Sequence, residues 1–374
     1  MSSQKEKTSP FMAKAIEAAL SAKSITSPNP WVGALLEHQG QIINVSSTKK
    51  YGAAHAEAQT LQGKHLSGGT LYTTLEPCVA FEGKRTEPCT QIIIESGVKK
   101  VVIGIEDPDP RVKGRGIIQL REAGIEVQIG DGADEITRLL RPYIKHRQTG
   151  LPYVIAKFAA SIDGKIATKT GASQWITGEK ARDTAHHQRA WVDGILIGSG
   201  TAISDDPSLT ARPKNLSPEQ FTQPLRIVLD GSGKLPVNSK ILQPTGTIIA
   251  TSPKSEKNWQ DSLTEQGAQI IICEPSQNGS GINLEQLLQV LGSRSILSLW
   301  VEGGSQILGS FFSQNLIDEL WAFIAPIIIG GDGLSAISTT GTSTLAEVPH
   351  LREIVIEKLE QDFLVRGFTG NWAP

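Results

Sequence analysis

From residue 11 to about 147 the chain alternates between two hydrophobic periods. In FMAKAIEAALSA (11–22), Phe11, Met12, Ile16 and Leu20 recur at helical spacing, which predicts an amphipathic helix. Apolar runs at 32–36 and 41–45, parted by Gln39-Gly40, read as a β-hairpin. A helix is expected from near His55, a strand over 70–75, and a second helix from about Glu87 to Ser96. VVIGI (101–105) and IEVQI (125–129) are predicted strands on either side of a helix at 116–123. Gly97 and Gly124 stand where those helices should stop. The pattern is that of an α/β layer around a largely buried sheet. A charged helix is expected over 131–147, and Gln148-Thr149-Gly150-Leu151-Pro152 breaks it.

That break is read as a boundary between a domain of residues 1–149 and one of residues 150–374. Beyond it, strands are predicted at 153–160, 194–198, 225–230, 247–250, 268–273 and 296–304. The apolar, β-branched segment 318–329 and a β-hairpin over 353–368 follow. The polar stretch 252–283 is expected to be surface loop around one strand. The apolar strand at 320–329 suits a core or a subunit contact, and we expect a homo-oligomer, dimer or tetramer.

Composition narrows the function classes. With 39% hydrophobic and 20% charged residues, the 374-residue chain has the make-up of an ordinary globular protein with room for two cores. A net charge of −2 gives no basic field to recruit nucleic acid, so no nucleic-acid partner is expected. The polar opening MSSQKEKTSPF predicts no secretion signal, and no apolar run is long enough to span a bilayer. Three cysteines, two of them spaced like metal ligands, favour a reducing cytoplasm.

The chemistry is densest in the first third. His55, Cys78 and Cys89 offer one imidazole and two thiolates, Glu57 follows the histidine by two residues, and Pro77 precedes the first cysteine. That is the order of a zinc deaminase site: one Zn²⁺ per chain on three ligands, with a carboxylate that moves protons without binding metal. Three ligands leave a position for water, as catalytic zinc sites do. Residues two apart on a helix differ by roughly 200°, so His55 must lie at the helix start if it shares a pocket with Glu57. Thr86 is expected to cap the helix whose first turn holds Cys89, where the helix N-terminus favours a thiolate. His65, in KHLSGG, is either a fourth ligand closing a structural site or a loop histidine, and Cys273 ends an apolar run and reads as core.

In the second half, GSGTAI has Ile203 where a dinucleotide fingerprint needs its third glycine. Glu302-Gly303-Gly304-Ser305 joins an apolar strand to an amphipathic helix bearing Leu308, Phe311 and Phe312. Such a turn brings backbone N–H groups close to a phosphate, or is simply a tight strand-to-helix turn.

SPNPWVGALL (27–36), GAAHAEAQTL (52–61), TLEPC (74–78) and DPDPRVKGRG (107–116) resemble the deaminase half of the bifunctional riboflavin-pathway deaminase–reductase family. KFAASIDGKIAT (157–168), GASQWITG (171–178), GSGTAISDDPSLTAR (198–212), LRIVLD (225–230) and VEGGSQILGSFF (301–312) resemble its reductase half. The resemblance implies an N-terminal cytidine-deaminase-like α/β/α layer domain followed by a dihydrofolate-reductase-like α/β domain. It implies zinc-dependent hydrolytic deamination of a small phosphorylated pyrimidine, with Glu57 as the catalytic residue. NADPH-dependent reduction of the ribosyl group to a ribityl chain would follow. Ala159, Trp175, Thr201, Asp205, Gly304 and Ser305 then match positions that contact NADPH. Asn29, Lys157, Ser173, Arg189, Leu209, Arg212 and Glu302 match positions that contact substrate. Read without the resemblance, Trp175 suits a core aromatic and Arg189 a solvated helix face shared with Arg182 and Asp183.

The chain also departs from the family pattern. Ten residues separate Cys78 from Cys89, a longer spacer than is usual. Val79-Ala80 replaces a Ser-His pair, and Thr48 stands where a histidine is typical. The enlarged loop offers Lys84 and Arg85 to the substrate phosphate in their place. Three other readings compete: a reductase whose zinc half has changed specificity or lost activity, a nucleic-acid-editing module, and a non-catalytic metal scaffold. Glu57 argues against the scaffold, since structural zinc has no use for a base.

Overall fold

The computed structural model describes residues 8–23, 25–64, 68–84, 86–243, 246–276, 281–338 and 343–374; His65 and Arg85 lie outside the described residues. The chain forms two compact units that part between Thr149 and Gly150.

The first unit runs α1 (Pro10–Ser21), β1 (Gly33–His38), β2 (Gln41–Ser47), α2 (Ala56–Leu61), β3 (Thr70–Leu75) and α3 (Cys89–Ser96). It continues through β4 (Lys100–Ile105), α4 (Arg115–Glu122), β5 (Glu126–Ile129), α5 (Ala133–Leu139) and α6 (Arg141–Thr149). Its sheet has the order β2-β1-β3-β4-β5, antiparallel across β2, β1 and β3 and parallel from β3 to β5. Gln39 and Gly40 turn the first hairpin with φ of 51° and 79°, the left-handed pair a two-residue connection favours. Met12, Ala15 and Ala19 are fully buried, and α1 lies so close to β1 that a Cβ on Gly33 would meet the Ala15 carbonyl at 1.9 Å.

The single helix expected over 131–147 is two. Pro142 lacks an N–H and its ring would clash with the carbonyl of Arg138, so α5 stops and α6 restarts at Arg141.

The second unit contains β6 (Tyr153–Ser161), β7 (Lys165–Ala167), α7 (Glu179–Arg189), β8 (Gly194–Gly198), α8 (Ser199–Asp205), β9 (Leu225–Leu229) and β10 (Thr247–Thr251). After these come α9 (Lys257–Glu265), β11 (Gln269–Ile272), α10 (Leu284–Ser293), β12 (Ser298–Val301) and α11 (Ser305–Ser313). The chain ends through β13 (Glu319–Ala325), β14 (Leu334–Ser335), β15 (Arg352–Leu359) and β16 (Asp362–Phe368). The large sheet has the order β11-β10-β9-β8-β12-β6-β13-β16-β15, parallel as far as β13 and antiparallel at its last two strands. One apolar cluster fills each of its faces, around Trp300 and Phe323 on one side and Leu299 and Phe311 on the other.

Two expectations need correction here. The stretch 252–283 is not loop around one strand, because it includes α9, whose Trp259 and Leu263 pack into the core one turn apart. The segment 320–329 divides: Trp321, Ala322, Phe323 and Ala325 are buried within the sheet, while Ile327 and Ile328 are exposed.

Candidate active sites

His55 is the N-cap of α2 with φ −69° and ψ 165°, and Glu57 sits in the first turn, 3% exposed. The non-helical backbone at His55 lets both side chains reach one cavity. Cys78 follows β3 and Cys89 opens α3. The cap of α3 is Pro88 and not Thr86, because Thr86 is engaged elsewhere: its Oγ1 accepts from Lys84 Nζ at 2.9 Å and lies 3.5 Å from His55 Nε2.

The ligand atoms converge. His55 Nδ1 is 3.5 Å from Cys78 Sγ and 3.4 Å from Cys89 Sγ, and the three atoms lie within 4.8 Å of one another. Tetrahedral zinc, with Zn–S of about 2.3 Å and Zn–N of about 2.0–2.1 Å, sets N···S edges of about 3.6 Å. The donor set therefore fits Zn²⁺ in both chemistry and spacing. Among the described residues this is the one such cluster of three. The hydrogen bond from Cys89 lowers the Cys78 thiol to about 3, while the same bond and burial hold Cys89 well above the usual thiol range. Burial raises the Glu57 carboxyl, opposed by His55.

A cavity of about 110 Å³ joins His55, Glu57 and Cys78 to Asn29, Thr48 and Lys84. Thr48 Oγ1 is turned to the backbone of Val32, which donates to it at 3.3 Å. Sequence reasoning missed the far wall, formed by Glu76, Asp107, Asp109, Arg111, Tyr143 and Arg147. Glu76 is 2% exposed and accepts the N–H groups of Asp107, Gly114, Gly116 and Ile117 at 2.9 to 3.2 Å. Gly116 is needed there, since a Cβ would meet the Pro77 carbonyl at 2.2 Å. Burial drives the Asp107 carboxyl up to about 7. The signal lay in TLEPC and DPDPRVKGRG, which are tied together by Glu76.

In the second unit a cavity of about 530 Å³ gathers Lys157, Ser173, Arg189, Leu209, Arg212 and Glu302, and Ala159, Trp175 and Asp205 line it too. Arg189 Nε and Nη2 donate to Glu302 Oε1 and Oε2 at 2.5 and 2.7 Å. Trp300 Nε1 adds a 2.6 Å bond to Oε1, and Lys157 Nζ stands 3.8 Å from Oε2. Burial would raise the Glu302 carboxyl, but Arg189 and Lys157 hold it well below the usual range. Burial pulls the Lys157 ammonium down, with Glu302 opposing. Arg189 is thus no solvated face residue, its side chain being 15% exposed. Trp175 is no core aromatic either, at 71% exposed with the Arg182 guanidinium 4.6 Å from its ring centroid. Thr201 and Gly304 adjoin at the starts of α8 and α11, where a Cβ on Gly304 would come within 3.2 Å of Thr201 Oγ1, and Ser305 opens α11. These three do not line the larger cavity.

Fold and sites together define a two-part protein, a cytidine-deaminase-like zinc-binding unit followed by a reductase-type α/β unit. Residues 5–105 match the family model for the cytidine and deoxycytidylate deaminase zinc-binding region, and residues 152–365 match that of the RibD C-terminal domain. The riboflavin biosynthesis protein RibD of Bacillus amyloliquefaciens is 40% identical over 357 residues, covering 94% of each chain. That of Escherichia coli K12 is 35% identical over 353 residues, covering 91% of this chain and 94% of that protein. Among solved structures, RibD of Acinetobacter baumannii superposes with a TM-score of 0.87 at 33% identity, covering 96% of this chain and 97% of that one. A diaminohydroxyphosphoribosylaminopyrimidine deaminase/5-amino-6-(5-phosphoribosylamino)uracil reductase from Thermotoga maritima superposes with a TM-score of 0.81 at 33% identity, covering 95% and 97%. The chain belongs to the RibD family of riboflavin biosynthesis proteins.

Proposed function

We propose that Glu57 and the His55–Cys78–Cys89 set carry the deamination, and that the cavity around Glu302 carries the reduction. The chain is a bifunctional enzyme that deaminates a small phosphorylated pyrimidine and reduces its ribosyl group, using Zn²⁺ and NADPH. The observation that carries the site assignment is the convergence of an imidazole, two thiolates and a buried carboxylate on one cavity.

Zinc, when bound by His55 Nδ1 and the two Sγ atoms, supplies Lewis acidity that makes a water easier to deprotonate. Glu57 then takes a proton at a carboxylate oxygen and returns it to the departing amine. Asn29 holds the pyrimidine from the opposite loop. NADPH supplies hydride to the second reaction. There Glu302 fixes Arg189 and orients Lys157, and Arg212, whose Nη1 donates to the Ser208 and Thr210 hydroxyls, is placed to grip the phosphate. Thr201, Gly304 and Ser305 present helix starts to the cofactor phosphates. Ala159, Trp175 and Asp205 complete the cofactor side, and Ser173 and Leu209 the substrate side.

We further propose a cytoplasmic homo-oligomer. The three cysteines are free, no helix among the described residues is long and apolar enough to cross a membrane, and edge strand β15 exposes Ile354, Val355 and Ile356.

Mass-resolved product analysis tests the assignment. Without NADPH the product should carry oxygen in place of one amino group, and with NADPH it should gain the mass of two hydrogens. A chain that reduces supplied deaminated substrate but releases no ammonia would instead be a reductase alone. Lys84→Ala is expected to raise the deaminase KM about tenfold, as loss of one charge-assisted phosphate contact should. An unchanged KM would remove Lys84 from the phosphate site.

A further inference from the structure

The longer spacer between the two cysteines carries Phe81, whose ring packs on Cys78, Cys89 and Val112 and lines the first cavity. The Arg111 guanidinium carbon lies 4.5 Å from the ring centroid, and Lys84 Nζ lies 5.7 Å away. Arg111 is held in that pose. Its Nε and Nη2 donate to Asp109 Oδ1 and Oδ2 at 2.9 and 2.6 Å, and Asp109 is 5% exposed. Two parallel charge-assisted bonds fix the plane of a guanidinium. Asp109 is fixed in turn, since its N–H donates to Asp107 Oδ1 at 2.9 Å. Tyr143 OH donates to that same oxygen at 3.0 Å, and the N–H of Asp107 donates to Glu76 Oε2 at 3.1 Å. A continuous set of bonds therefore runs from Glu76, beside the metal-binding loop, to the cation over Phe81.

We propose that Phe81 is a specificity-determining wall of the deaminase cavity, and that Arg111, locked by Asp109, is its positioning residue. This rests on the reading of that cavity as the pyrimidine site. Thr48 lines the cavity with its hydroxyl engaged by the Val32 N–H, and Val79-Ala80, beside Phe81 in sequence, add no polar side chain. An aromatic wall offers apolar area to a flat heterocycle without requiring a hydrogen bond. A cation 4.5 Å from the ring centroid favours this ring orientation over others.

The test uses full-length, zinc-loaded enzyme carrying Phe81→Leu, Phe81→Ala, Arg111→Ala, Arg111→Lys, or Arg111→Ala in the Phe81→Leu background. Ammonia release is measured with the phosphorylated pyrimidine and with its dephosphorylated form, alongside zinc content and NADPH oxidation with supplied deaminated substrate. Phe81→Ala should raise the deaminase KM about tenfold and Arg111→Ala about two- to fivefold with both substrates, and each should change kcat far less. Arg111→Lys should recover part of the loss, since it keeps the charge but not the fork. Arg111→Ala should add nothing once Phe81 is leucine, because the two act as one unit. Zinc content and NADPH oxidation should stay at the parent values. Independent, additive effects would overturn the proposal, as would an Arg111 penalty confined to the phosphorylated substrate, which would make Arg111 a phosphate ligand. Absence of ammonia release from the parent enzyme would overturn the reading of the cavity itself, and is visible before any variant is compared.

Discussion

Replacing Glu57 with glutamine is expected to lower the deamination rate by about 10²–10⁴-fold while zinc content, and NADPH oxidation with supplied deaminated substrate, stay at the parent level. The side chain is 3% exposed and lies in the first turn of α2, two residues from the N-cap His55. Glutamine keeps its volume and one acceptor oxygen, so neither the packing of α2 nor the approach of His55 to the two thiolates should change. What it removes is the ability to hold a proton between the attacking water and the leaving amine. Glu57 is not one of the three converging ligand residues, so the metal set should survive its loss. Metal analysis of the purified variant, with ammonia release and NADPH oxidation assayed separately, checks each part. A variant that retained deamination would place the base elsewhere in the cavity, with Asp107 the next carboxyl to examine.

The parts of this site that were legible in the sequence are those written in short range. His55 and Glu57 are neighbours, Cys78 follows a strand, and Cys89 opens a helix, so residue type and order were enough to point to zinc. Short apolar runs likewise disclosed most strands, since a strand buried on both faces has few polar interruptions. Helix α9 was hidden because only Trp259 and Leu263 carry its apolar face, and its remaining positions read as polar loop. Glu76 showed nothing of its role, which depends on four N–H groups between Asp107 and Ile117 folding back onto it. Phe81 and Arg111 were equally silent, because the contact joins two loops that meet only around the cavity. Family resemblance supplied Arg189 and Glu302 separately. Their pairing spans 113 residues, and no local pattern encodes it.

That pair is the basis of the second large effect. Arg189→Met is expected to destabilise the second unit by about 3 kcal/mol and to abolish reduction, because it strands a buried carboxylate. The side chains of Arg189 and Glu302 are 15% and 10% exposed, so solvent does little to screen either charge. Lys157 at 3.8 Å and the indole of Trp300 at 2.6 Å would remain beside Glu302, which keeps the expected loss at the lower end of what breaking a buried pair costs. Thr210 would also lose the Arg189 Nη1 bond to its carbonyl, now 3.1 Å, and with it an anchor of the loop that carries Leu209 and Arg212. Removing both charges should cost less than removing one. Arg189→Met combined with Glu302→Leu is therefore expected to unfold at higher urea than Arg189→Met alone, though neither variant should oxidise NADPH. Urea unfolding of the full chain, with binding of NADPH as the marker of the second unit, measures the difference. If the double variant unfolded at the same or lower urea, Lys157 and Trp300 would be holding Glu302 without Arg189, and the carboxylate would not be stranded.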